Sequence, residues 1–200
     1  MVPMLLWLRQ NMIVVLGLSS AWLYYFYSNG AIGYTAIDAW QIARNENFLA
    51  IPLYVLAGNV MANGSIASRL VRVMAALTAP IPGGLALAAV LSCSLFAAIS
   101  GSSTVTMLAV GGVLYPAMVK AGYDHRFSLG LLCAAGTLGI IIPPSIPMIL
   151  YGIMTGVSIT DLFKAGVLPG LFLAFLLGVY AVYKNRHLRQ SAAWDRAEIL

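Results

Sequence analysis

Residues 127–157 carry no Asp, Glu, Lys, Arg or His, yet Pro143-Pro144 stands near the middle of them. A spanning helix needs about 20 apolar residues, so this run is too long for one untilted helix. Each proline also removes a backbone donor, at about 3 kcal/mol in a helix interior, and leaves the carbonyls of Gly139 and Ile140 without helical partners. Broken backbone inside a bilayer survives only where it is buried in protein or lines a watery cavity. The spacing predicts a broken helix over 127–157, with Ser145 capping a half-helix that begins at Ile146.

Composition sets the membrane context. Hydrophobic residues make up 61% of the chain and charged residues 8%, against about 25% charged in a soluble domain. Further apolar runs occupy 12–27, 48–61, 85–118 with a polar interruption, and 162–183. The fold class expected is an all-α, multi-pass integral membrane protein. The net charge of +5 reflects topology, not nucleic acid, since no aromatic-lined basic groove gathers the cations. With Lys184, Arg186, Arg189 and Arg196 placed inside and 85–118 returning to its own side, only Arg44 and Lys164 of the 11 Lys and Arg fall outside. That obeys the positive-inside rule and puts both termini in the cytoplasm.

Residues 12–27 lack a following A-x-A-like cleavage site and end in aromatics. They therefore read as a first span with Trp22, Tyr24, Tyr25 and Tyr27 at the outer interface. A polar connection over 28–47 holds a short surface helix around 36–43. Asn63-Gly64 stops the next helix and Ser65 caps a third. There Ile66, Leu70, Val73, Met74 and Leu77 share one side while Arg69 and Arg72 take another, which predicts a helix lying along the cytoplasmic interface. A plain extension of the preceding span is the alternative.

After Pro80, Pro82, Gly83 and Gly84, the apolar stretch 85–99 is about 22 Å long as a helix, short of a hydrocarbon core of about 30 Å. Ser100-Gly101-Ser102-Ser103-Thr104 follows, then a second apolar stretch over 105–118. Two short helices meeting at a Gly/Ser tip, with basic loops at their outer ends, predict a re-entrant hairpin over 84–119. The organisation expected is scaffold-type helices over 1–83, a transport part over 84–157, and a spanning helix with a basic tail over 158–200.

Two interruptions of this kind resemble the discontinuous helices of secondary transporters, in which freed carbonyls hold a cation and half-helix N-termini face an anion. The carbonyls of Gly139 and Ile140 and the hydroxyls of Ser100, Ser102, Ser103 and Thr137 are hard oxygen ligands suited to sodium. Ser103 or Thr104 can cap the second hairpin arm, and with Ser145 this offers N–H groups to a carboxylate. Asn59 is the one amide within an apolar helix and can face the hairpin, an ion or merely another helix. A packing kink at Pro143-Pro144 and a close helix contact at the tip are the non-functional alternative.

The six acids, Asp38, Glu46, Asp124, Asp161, Asp195 and Glu198, all lie in connections or the tail, so no intramembrane proton relay is expected. His125 and His187 sit beside basic residues and do not form a metal site. Cys93 and Cys133 read as small core residues. No nucleophile has a base beside it, so no enzyme chemistry and no cofactor are expected.

The stretches FLAIPLYVLAGNVMANGSIASRLV from Phe48, FAAISGSS from Phe96 and AGTLGIIIPPSIPMILYGIMTGVSITDLFKAGVLPG from Ala135 resemble the large membrane subunit of tripartite ATP-independent periplasmic (TRAP) transporters. The resemblance implies a sodium-coupled elevator importer of carboxylates, such as C4-dicarboxylates or sialic acid, in a bacterial inner membrane. It implies a small membrane subunit and a periplasmic substrate-binding protein as partners. It carries Ser100, Gly101, Ser102 and Ser103, together with Thr137, Gly139, Pro143, Pro144 and Ser145, into a sodium and substrate site. The family's subunit has two inverted repeats, so this chain corresponds to its N-terminal half: a truncated product, part of a split subunit, or a cropped piece. A non-transporting membrane module, or a relative of divalent-anion sodium symporters, are the other classes.

Overall fold

The computed structural model describes residues 7, 9–27 and 33–188; the tail beyond, with Arg189, Arg196, Asp195 and Glu198, lies outside the described residues. All regular structure among them is helical, as an all-α integral membrane protein requires. The chain divides into two compact units, Met1–Phe48 and Leu49–Leu200.

The first unit holds helix α1 (Met12–Tyr27) and helix α2 (Gly33–Ala43). Tyr24 hydrogen-bonds to Asp38 between them. As described, α1 is about 24 Å long, below the length of a self-sufficient span. The surface helix expected at 36–43 begins one turn earlier.

The second unit holds α3 (Ala50–Asn63), α4 (Ile66–Thr78), α5 (Gly84–Ser100), α6 (Ser103–Lys120), α7 (His125–Gly136), a 3-10 turn (Thr137–Ile140), α8 (Ile146–Thr155) and α9 (Ile159–Lys184). The segment Glu46–Asn63 and helix α4 are bent by 67° at the Gly64-Ser65 break, so α4 is not an extension of the helix before it. Its packed face is made of small residues. Ala67, Val71, Ala75 and Thr78 are buried, whereas Ile66, Val73 and Leu77 are exposed. Lipid is as apolar as leucine, so helices in membranes bury small residues and leave large ones to the hydrocarbon. Ser65 stands at the N-cap position, but its side chain makes no capping bond.

Helix α5 is the hub. Leu85, Ala86, Ala88, Ala89, Val90, Cys93, Phe96 and Ala97 are all buried, and only the stripe of Leu91, Leu95 and Ile99 is exposed, so most of its circumference packs in the interior. Its alanines admit α4, α6, α7 and α9 at close range. Cys93 is the core residue expected, but Cys133 is exposed, with its sulfur 3.7 Å from that of Met107.

Helices α5 and α6 form a true hairpin. Buried Tyr123, just past α6, faces the amides of Leu85 and Ala86 at the start of α5, although no hydrogen bond of good geometry reaches its oxygen. Burial raises its phenol above the usual pKa, and those amides offset part of the rise. The end of α9 joins the same base: Gly83 N–H donates to the Leu188 carbonyl at 2.8 Å. The tip is shorter than expected, only Gly101 and Ser102, and the arms are longer. Among the described residues α6 and α9 are long and apolar enough to cross a membrane, so arm length does not itself mark α6 as re-entrant.

The base of α5 is also the tightest point. A β-carbon built on Gly84 would lie 2.1 Å from the Thr78 carbonyl oxygen, whereas one on Gly112 meets nothing within 4 Å. Gly84→Ala is expected to cost about 3 kcal/mol through overpacking, and Gly112→Ala to be neutral or to stabilise by up to about 1 kcal/mol. Thermal unfolding of both variants in one detergent checks the contrast.

Candidate functional site

The hairpin tip meets the broken helix, backbone against backbone. Gly101 ends α5 with φ +61°, a left-handed conformation natural to glycine. A β-carbon there would lie 2.9 Å from the Pro144 carbonyl oxygen. Ile146 N–H donates to the Gly101 carbonyl at 3.3 Å. On the other flank, a β-carbon on Gly139 would come within 3.0 Å of Ser102 C and Ser103 N. One on Gly58 of α3 would lie 3.3 Å from Ser100 Cβ.

The helix over 127–157 gives way before its prolines. It is α-helical only to Gly136, tightens into the 3-10 turn, and opens at 141–145 before α8. A proline disfavours helical geometry in the residue before it, and Ile142 occupies that place. The Pro143–Pro144 bond is cis.

Inside the tip, Ser100 is fully buried. Its hydroxyl lies 2.8 Å from the buried Thr106 Oγ1 and accepts from Ser102 N–H at 3.4 Å. Thr106 was missed by sequence reasoning. It lies one turn after Ser103, and its N–H donates to the Ser102 carbonyl.

Three local expectations are corrected. Ser102, not Ser103 or Thr104, stands at the N-cap position of α6, in extended backbone and without a side-chain capping bond. Ser145 does precede α8, but its hydroxyl turns back and donates to the Ile140 carbonyl at 2.8 Å. That carbonyl therefore has a partner. The N-terminus of α8 also has few donors to spare: Ile146 is engaged by Gly101, Pro147 has no N–H, and Ile149 donates to the Ser145 carbonyl.

The remaining residues are placed as follows. Ser103 is half-buried at the start of α6, and Thr104 is exposed beside it. Thr137 is exposed, its hydroxyl donating to the Ala134 carbonyl at 2.7 Å. Asn59 is exposed, and it is Gly58, its neighbour, that touches the tip. The structure thus gathers Ser100, Gly101, Ser102, Ser103, Gly139, Pro144 and Ser145, adds Thr106, and leaves the side chain of Asn59 aside. No His, Cys, Asp or Glu cluster able to hold a metal occurs among the described residues.

Helix α9 gives the depth of this cluster. A β-carbon on Gly166 would lie 2.8 Å from the Ile141 carbonyl oxygen, and one on Gly170 would lie 2.8 Å from Ile142 Cγ1. Gly178 faces Leu87 near the start of α5. The break therefore sits against α9 about 10 to 17 Å from its Ile159 end and about 20 to 27 Å from its Lys184 end. Exposed Lys164 lies about 3 to 9 Å nearer the Ile159 end than those glycines, so the break sits within the apolar length of α9, close to that end.

Such a cluster offers oxygens without formal charge. A carbonyl has two lone pairs, so Ile140 and Gly101 each keep one beyond the hydrogen bond they accept. The hydroxyls of Ser145 and Thr137 spend their protons on carbonyls, which leaves their own lone pairs outward. Uncharged carbonyl and hydroxyl oxygens of this kind are hard ligands.

Comparison with known proteins agrees with the geometry. The family described as tripartite ATP-independent periplasmic transporter, DctM component, matches residues 1–198. A C4-dicarboxylate TRAP transporter large permease protein of Pseudomonas aeruginosa is 42% identical over 92% of this chain and 43% of its own length. Its counterpart in Vibrio cholerae is 40% identical over 92% of this chain and 42% of its own. An ectoine TRAP transporter large permease protein of Halomonas elongata is 44% identical over 70% and 33%. The chain spans less than half the length of these relatives, all named as permeases and none as an enzyme.

The buried hydroxyl pair is open to a double-mutant cycle. Ser100→Ala strands Thr106 Oγ1 and should destabilise by about 1–3 kcal/mol. Adding Thr106→Val should cost less than the sum of the single changes, by about 1 kcal/mol, in chemical unfolding of detergent-solubilised protein.

Proposed function

We propose, because the chain belongs to the DctM component family of tripartite ATP-independent periplasmic transporters, that it forms part of the large permease subunit of a sodium-coupled importer of a small carboxylate. The observation that carries this reading is the meeting of two non-helical segments, 101–102 and 141–145, at membrane depth beside Gly166 and Gly170. Uncharged oxygens held there replace the water shell of a sodium ion without an intramembrane acid. The ion site proposed comprises Ser100, Gly101, Ser102, Ser103, Thr137, Gly139 and Ile140, supported by Thr106.

The carboxylate is assigned to the start of α6, at Ser103 and Thr104, in preference to Pro143, Pro144 and Ser145, because the α8 terminus has largely spent its donors on Gly101 and Ser145. The tight backbone contacts from the tip to α7 and α9 support movement of these elements as one body, as an elevator mechanism needs. The subunit would work in a bacterial inner membrane with a small membrane subunit and a periplasmic binding protein that delivers cargo. Relatives are named for C4-dicarboxylates and ectoine, which contain carboxylate groups, and for isethionate, a sulfonate; a C4-dicarboxylate, named for the relatives matched over 92% of this chain, is the substrate proposed here.

The test is uptake of labelled succinate by liposomes containing the complete permease, its small subunit and the loaded binding protein. Uptake should need an inward sodium gradient and should cease in potassium. Gly139→Ala, which pushes a methyl group against the Ser102–Ser103 peptide, and Ser103→Leu should each lower sodium-driven uptake by about 10²-fold, as misplacement of a site by about 1 Å can, with assembly intact. Undiminished uptake in potassium would sink the sodium assignment. Uptake from free succinate without the binding protein would favour a symporter that takes substrate directly from solution.

A further inference from the structure

A groove of about 710 Å³ runs between α5 and α9 and takes no part in the tip cluster. Leu87 and Leu91 of α5 face Leu171, Phe175 and Val179 of α9 across it, and no carboxylate lines it. Gly178 forms part of its floor, where Leu87 Cδ1 would lie 3.1 Å from an added β-carbon. One end alone is polar. There Arg186 is exposed, with its guanidinium 5.5 Å from the centre of the Tyr183 ring, and both residues line the groove.

The dimensions and the charge select an occupant. From Leu171 to Lys184 helix α9 rises about 20 Å, more than the roughly 15 Å that is half of a hydrocarbon core of about 30 Å. An apolar trough one leaflet deep, ending in an aromatic and a guanidinium at the interface, matches an acyl chain below a phosphate. Arginine pairs with phosphate through parallel N–H donors, and the stacked Tyr183 ring holds the guanidinium at the mouth. We infer that the α5–α9 groove binds one anionic phospholipid, with an acyl chain along Leu91 and Phe175 and its phosphate on Arg186, in the leaflet that contains the Lys184 end of α9.

Native mass spectrometry of the detergent-purified chain, after delipidation and titration with phosphatidylglycerol or phosphatidylcholine, tests this. One phosphatidylglycerol should be retained in preference to phosphatidylcholine. Arg186→Gln should weaken phosphatidylglycerol binding about fivefold, the factor that matches about 1 kcal/mol per basic residue at an anionic surface. Leu91→Trp, which fills the trough, should abolish retention of both lipids while the unfolding temperature holds. A benzophenone side chain at Phe175 should crosslink to lipid in membranes. Equal retention of both lipids, retention unchanged in the two variants, or a peptide adduct at Phe175 would overturn the assignment.

Discussion

In hydrocarbon a backbone polar group has only protein to turn to, and the unit over 49–188 is organised around that constraint. Two places where the helix ladder is interrupted are brought together so that each answers part of the other's deficit. The Gly101 carbonyl takes the Ile146 N–H, and within the break the Ile140 carbonyl takes the Ser145 hydroxyl. Glycines at 58, 101, 136 and 139 are what let these backbones approach. Lone pairs survive this pairing while free N–H groups become scarce.

Size, more than polarity, sorts the faces of these helices, and this explains what was and was not legible in the sequence. The tip and the break were plain from Gly, Ser and Pro, residues whose backbone effects do not depend on solvent. The apolar stripe of α4 was legible, but its packed set of Ala67, Val71, Ala75 and Thr78 was not, because in lipid small size and not apolarity marks the packed face. Asn59 drew notice for its amide, yet the contact belongs to the hydrogen side chain of Gly58. Thr106 escaped because a threonine within an apolar helix has no local signature, and only the fold reveals Ser100 across from it. The cap at Ser102 was displaced by two residues at most, because a serine-rich run offers several equivalent starts.

Helix α9 gives the unit its measure. Its small residues Gly166, Gly170 and Gly178 touch in turn the break and the hairpin, so one continuous helix registers the depth of both discontinuous segments. Its flank is apolar between the Asp161–Lys164 pair near one end and Lys184 at the other, so charge marks both of its ends.

The bond from Gly83 N–H to the Leu188 carbonyl closes the chain into a ring of more than a hundred residues, with Gly84 wedged against Thr78 at the same spot. A closed ring has no free end about which its members can swing separately. Helix α4 lies outside that ring and meets it at the Thr78–Gly84 contact, while the path into α4 turns by 67° at Gly64-Ser65.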